Sequence, residues 1–139
     1  VGRKRRYVTS HREYSLAAPF IERCIQLADA GGWIGLIVGN NFMKREFGSK
    51  LIEQVLPRLD LTHVVDTSSA KIPEHDTPTV ILFGRHRAPV GNTVRTVMGI
   101  KGEPSTPEDP ARGLVWLSIV AQADHVLNSF DELRTLVLP

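Results

Sequence analysis

The sequence predicts an α/β domain, and three observations carry that reading. A helix-period stretch ends at Gly31-Gly32 and is followed at once by the near-continuous apolar run Trp33-Ile34-Gly35-Leu36-Ile37-Val38. A second helix-period stretch leads into another apolar run, so the order is helix, strand, helix, strand. The link to the next strand, Thr67 to Thr77, is about eleven residues, too short to carry a parallel crossover easily. That third strand is therefore expected to pair antiparallel.

Each element has its own warrant. From Ser15, the residues Leu16, Phe20, Cys24, Leu27 and Ala28 share one helical stripe, widened by Ile21 and Ile25. Ser15 suits the N-cap and Gly31-Gly32 the C-terminal end. Residues Trp33 to Val38 do not alternate, which predicts a strand covered on both faces. Gly39-Asn40-Asn41 breaks that strand. The next helix is expected from about Lys44 to Leu56, with Phe47, Leu51, Val55 and Leu59 on one stripe beside Ile52 and Leu56; Pro57 closes it. Leu61 to Asp66 and Pro78 to Gly84 read as strands. Beyond Pro89, Val94 to Ile100 reads as a strand and Lys101 to Gly113 as an exposed Pro/Gly loop. Leu114 to Val120 reads as a strand, and Asp124 to Leu136 as a helix capped by Asp124.

Composition excludes several classes. The 139 residues are 42% hydrophobic and 23% charged, which fits one globular domain and excludes wholesale disorder. One cysteine excludes an intramolecular disulfide framework and a Cys-based zinc cage. No apolar run is long enough for a membrane-spanning helix. The net charge of +2 is unevenly placed. Residues 1–50 hold nine Lys/Arg against four acids, and Arg3-Lys4-Arg5-Arg6 opens the chain. That arm suits either solvent or phosphate contact.

The residues also resemble a known family. Tyr14, Ala18-Pro19-Phe20-Ile21-Glu22-Arg23, Leu27, Gly31-Gly32 and Ile34 to Val38 resemble the segment after the catalytic Asn-Pro-Pro-Tyr motif of gamma-class N6-adenine DNA methyltransferases. Thr77 to Gly84 resembles the strand after their target-base loop. Asn40-Asn41-Phe42, Arg45-Glu46-Phe47-Gly48, Val65-Asp66-Thr67 and Ile72-Pro73 look most like the large adenine methylases of BREX and phage growth limitation systems. Those enzymes are related to type IIG restriction-modification methylases. The resemblance covers roughly residues 14–119. It implies the C-terminal half of a Rossmann-like methyltransferase sheet, with a final antiparallel strand and a short α+β extension. The implied organisation is a basic arm (1–13), half of the catalytic domain (14–88) and an extension (89–139). The implied cofactor is S-adenosyl-L-methionine, the partner duplex DNA, and the setting the bacterial cytoplasm; no metal is implied.

Two family features do not occur in these residues: a Gly-rich loop between strand and helix, and Asn-Pro-Pro-Tyr. The expectation is a half-domain, inactive alone and lacking catalytic residues of its own. It would be completed by an N-terminal half, and its raw sheet edge would favour a homodimer of the isolated chain.

Site candidates follow from the resemblance. Phe20 falls where relatives place a side chain against the cofactor's adenine; its other reading is a core anchor. Asn40 and Asn41 follow a strand's carboxyl end, where ligands sit in open α/β sheets. Their other reading is a turn with Asn in the left-handed conformation. Lys71, Ile72, Pro73 and His75 are implied to border the target-base pocket. Relatives carry an aromatic residue where Ile72 stands, so base stacking there loses its π contribution, and His75 is the planar substitute. Lys71, Arg85 and Arg87 are candidate phosphate contacts. Trp33, Trp116, His63 and Cys24 read as packing residues. Two other functions stay open: a non-enzymatic DNA-binding or partner-docking module, and a methyltransferase fragment acting on RNA or a small molecule.

Overall fold

The computed structural model describes residues 7–10, 15–70, 76–100, 102–122 and the backbone of 127–129. Helix α1 (Ala17–Leu27) leads to strand β1 (Trp33–Gly39), a short helix α2 (Asn41–Lys44), a 3-10 turn Glu46–Gly48, a π turn Leu51–Val55 and a second 3-10 turn Leu56–Arg58. Strands β2 (Asp60–Asp66), β3 (Thr79–Arg85) and β4 (Thr93–Val97) follow, then helix α3 (Leu114–Gln122) and strand β5 (Leu127–Ser129).

The strands form one open sheet in the order β1-β3-β2-β4-β5. As the short connection requires, β3 is antiparallel to both neighbours. Strands β1 and β2 therefore run the same way, with β3 inserted between them. Strand β4 lies parallel to β2, and β5 antiparallel to β4. β1 occupies one edge, where one row of backbone groups has no strand partner among the described residues.

The larger core lies between one sheet face and the helical segments. Ile21 and Ile25 of α1 meet Ile34, Leu61, Val64, Val80, Leu82 and Val94 from the sheet, together with Phe42, Leu51, Ile52, Leu56 and Leu59. A smaller core on the opposite face joins Val65 and Val97 to Val115 and Ile119 of α3. α3 covers that face over β2 and β4, with Ile81 of β3 packed against its margin.

Six expectations need correction. Leu16, Phe20 and Leu27 of α1 face solvent, and Ala18, Ile21 and Ile25 are the buried positions. The helix is apolar around most of its circumference, so packing rather than spacing chose the buried face. α1 also stops at Leu27, before the glycines; Ala28 is already extended. Gly31 instead serves the turn into β1 at φ +75°, and its N–H donates to the His86 carbonyl at 2.8 Å.

β1 is not covered on both faces: Trp33 is 72% and Ile37 60% exposed. The second helix is broken rather than continuous. Arg45 is extended at φ −123°, Gly48 sits against the Phe42 backbone, and residues 51–55 form a wide π turn ahead of Pro57. Proline cannot supply the N–H that a regular helix needs there. Residues 114–120 are helical, not a strand. Glu103 explains part of this: its Oε1 accepts the Val115 N–H at 2.8 Å, satisfying a donor in the first turn of α3. Last, residues 127–129 are a strand where a helix was expected. The remainder of that expected helix lies outside the described residues.

Candidate functional site

The carboxyl ends of the parallel strands β1 and β2 lie either side of the start of β3. Asn40 follows β1 directly and is buried. Its N–H donates to the Pro78 carbonyl at 3.0 Å, and its carbonyl accepts from Met43 N–H at 3.0 Å. Its φ is −80°, so the left-handed turn is not what is built. Asn41 opens α2 and is exposed. At the end of β2, the Thr67 and Thr79 hydroxyls share a buried 2.8 Å hydrogen bond, and Thr67 N–H donates to the Thr79 carbonyl. Asp66 Oδ1 accepts from Ser68 N–H at 3.0 Å and shapes the departing loop.

A groove of about 420 Å³ opens beside these ends. Ile37, Ile81 and the two threonines line the sheet side, and Trp116, Pro107 and Pro110 the other. It is largely apolar, with Glu103 contributing an acidic group. Ala70, the residue before 71–75, also lines it. Lys71, Ile72, Pro73 and His75 lie outside the described residues.

A second groove, of about 480 Å³, runs along the exposed side of α1. Tyr7, Leu16, Pro19, Phe20 and Arg23 line it. Phe20 is 61% exposed, so its reading as a core anchor does not hold. No residue lines both grooves, so Phe20 and the strand-end residues stand apart among the described residues.

The cations around β3 are engaged within the fold. Arg85 Nε donates to the Gly31 carbonyl at 2.9 Å, and its guanidinium lies 5.1 Å from the Trp33 ring centroid. Arg87 pairs with Asp60 at 2.7 Å. Both therefore have structural roles beside any contact with phosphate. Trp33 is thus a surface cation–π partner rather than a packing residue. Cys24 is half-buried.

His63 sits on β2 with its ring edge-on to Phe83 at 6.2 Å, and its Nδ1 lies 3.0 Å from Thr62 Oγ1. Burial first, and the Arg95 charge second, lower its pKa from 6.5. The folded chain then binds this proton less readily than the unfolded one. The associated stability is complete above about pH 6.5 and declines as pH falls below it. The urea midpoint is expected to drop from about pH 7 to about pH 5, and His63→Gln to make that drop shallower. An identical pH profile for the variant would remove His63 as a source.

Sequence reasoning missed Glu22. It is a carboxylate only 6% exposed, on the buried side of α1 between Ile21 and Ile25. The available signal was a lone acid beside Ala18, Ile21 and Ile25, which centring the buried face on Leu16, Phe20 and Cys24 concealed. Trp116 as a groove residue was also missed, because its segment was read as a strand.

Comparison with known proteins decides the family. Residues 2–72 match the family model described as Eco57I restriction-modification methylase. The chain belongs to that family. It shares sequence with three methyltransferases. It is 48% identical over 122 residues to the adenine-specific methyltransferase PglX of Streptomyces coelicolor, a match covering 81% of this chain and 10% of that protein. It is 28% identical over 146 aligned positions to the type II methyltransferase M.PaeR7I of Pseudomonas aeruginosa, covering 94% of this chain and 25% of the relative. A shorter match, 34% over 61 residues, joins it to the type II methyltransferase M.XhoI of Xanthomonas vasicola. The chain thus spans a tenth to a quarter of the length of these relatives. Its relatives are thus an adenine-specific methyltransferase and type II methyltransferases. Among the described residues, no helix is long and apolar enough to cross a membrane.

Proposed function

We propose that residues 1–139 form part of the catalytic domain of a DNA adenine N6-methyltransferase that uses S-adenosyl-L-methionine, acting in phage defence or restriction-modification. The 48% identity to an adenine-specific methyltransferase carries this reading. The two grooves support it, one beside the carboxyl ends of β1 and β2 and one along α1. In this reading the sheet β1-β3-β2 is the C-terminal half of a Rossmann-like methyltransferase sheet.

The α1 groove suits the cofactor's adenine. Phe20 presents an exposed ring, Tyr7 adds a second aromatic residue, and Leu16 completes an apolar floor. The bound cofactor supplies an electrophilic methyl group on a sulfonium. This chain's residues bind and exclude water; they do not attack the methyl. Asn40 and Asn41 border the target adenine at the end of β1, and residues 71–75, with Lys71, Ile72, Pro73 and His75, form a wall of its pocket. A flipped base gains stacking there that offsets part of its unstacking cost. The groups that would accept a hydrogen bond from the adenine N6 are not among these residues, since no Asn-Pro-Pro-Tyr run occurs in them. The 139-residue chain alone is therefore expected to be inactive.

The test compares two polypeptides: this chain alone, and the whole protein that carries it. Each is incubated with duplex DNA and methyl-labelled cofactor, and the nucleosides are analysed. N6-methyladenine from the whole protein, and none from the chain alone, is the expected result. Label in cytosine, in RNA only, or equal activity from both polypeptides would overturn the reading.

A further inference from the structure

Glu22 does not line the α1 groove, yet its hydrogen bonds hold the residues that follow Tyr7, which does. Its Oε2 accepts from the Thr9 N–H at 3.0 Å and the Thr9 hydroxyl at 2.7 Å. Its Oε1 accepts from the Val8 N–H at 3.2 Å and the Gln26 amide at 3.3 Å. Thr9 is fully buried, and Ser10 N–H closes the turn onto the Tyr7 carbonyl at 3.2 Å. Two consecutive backbone donors and a hydroxyl thus converge on one buried carboxylate. A buried acid is retained at a cost unless such donors satisfy it. Here they do, and the bonds tie residues 8–9 to a helix 13 and 14 positions further along the chain. The residue next to this clamp is Tyr7, which lines the groove together with Phe20.

We infer that Glu22 is the positioning residue of this groove: its carboxylate fixes the 7–10 turn and so holds Tyr7 as a second wall for a purine laid on Phe20. The inference rests on the reading of Phe20 as the cofactor's adenine contact. Glutamine at position 22 keeps the shape but replaces one acceptor with a donor. It then cannot accept from Val8, Thr9 and Gln26 together. Tyr7, freed from the clamp, loses its fixed place, and an adenine loses one of its two apolar walls.

The experiment uses the whole methyltransferase, with initial rates at varied cofactor and varied DNA and calorimetry with S-adenosylhomocysteine. Glu22→Gln and Tyr7→Ala are each expected to raise the cofactor KM and the S-adenosylhomocysteine Kd about tenfold, with kcat and the DNA KM held within about twofold. Tyr7→Phe is expected to bind as the parent does. The double variant Glu22→Gln/Tyr7→Ala is expected to bind no worse than Tyr7→Ala, since both remove the same wall. If Glu22→Gln does not fold, the contrast between Tyr7→Ala and Tyr7→Phe decides. Additive losses in the double variant, or unchanged cofactor KM in Tyr7→Ala while Phe20→Ala raises it, would overturn the inference and leave the Phe20 reading in place. Unchanged cofactor KM in Phe20→Ala would overturn that reading and the inference with it.

Discussion

Gly48→Ala is expected to destabilise the 139-residue chain by at least about 3 kcal/mol, near the upper end of overpacking effects. A Cβ at this position would meet the Phe42 carbonyl oxygen at 1.7 Å, its carbon at 2.5 Å and the Phe42 Cα at 2.7 Å. All three are backbone atoms, so no side chain can swing aside. The turn at 46–48 and helix α2 would have to separate. Against a total stability on the order of 5–15 kcal/mol, that is a large share. Urea unfolding measures it, with Gly91→Ala as the control. Nothing lies within 4 Å of a Cβ at Gly91. Alanine there is expected to be neutral or to stabilise by about 0.4–1 kcal/mol through the unfolded state. Equal midpoints for both variants would show that the Gly48 contact relaxes at no cost.

Phe42→Ala should cost about 4 kcal/mol. The ring is among the largest fully buried side chains, within the core beneath α1 and β1. Removing it loses the transfer energy of the ring and leaves a cavity the surrounding strands cannot close. Phe42→Leu should cost much less, under about 1.5 kcal/mol, by keeping most of the volume. The denaturant slope should stay constant in both, since the surface exposed on unfolding barely changes. A function-side consequence accompanies the loss. Phe42 anchors the segment whose first residues are Asn40 and Asn41, so its removal loosens the strand-end turn as well as the core. A loss below 1 kcal/mol for Phe42→Ala (about a quarter of the central value) would show that the site collapses around the gap.

The legible part of this fold was the part set by local constraint. An eleven-residue link forced β3 antiparallel. The stripe of Phe47, Leu51, Val55 and Leu59, with Ile52 and Leu56 beside it, identified a real core surface although the helix carrying it is broken; Phe47 and Val55 are only partly buried against it. The illegible part was set by partners distant in the chain. α1 has apolar residues at both 16/20/27 and 18/21/25, and each set has helical spacing. Only the packing of Ile21 and Ile25 onto the sheet distinguishes them. Residues 114–120 form a short apolar run rich in branched side chains, for which periodicity does not separate strand from helix. The Glu103 carboxylate that satisfies the α3 start comes from twelve positions upstream.

The same division holds for the site. Asn40 was singled out because a strand end has a recognisable break. Phe20 was singled out through the family pattern, and the structure places it beside an open groove rather than in the core. Glu22 was hidden because its partners, Val8 and Thr9, lie in a stretch without periodicity. A buried acid can be explained only after its donors are known.

The position of β3 has a consequence for synthesis on the ribosome. β1 and β2 emerge first, but neither pairs with the other; each pairs with β3. Until residue 85 has left the exit tunnel, the first half of the sheet has no ladder to join, and Leu36, Val64 and Val65 wait without their strand partners. Nascent chains stalled before β3 should therefore be sensitive to protease and recruit chaperones, and those stalled after β4 should resist both. The strand inserted between β1 and β2 is thus a timing element: its arrival converts two separate ribbons into one folding unit.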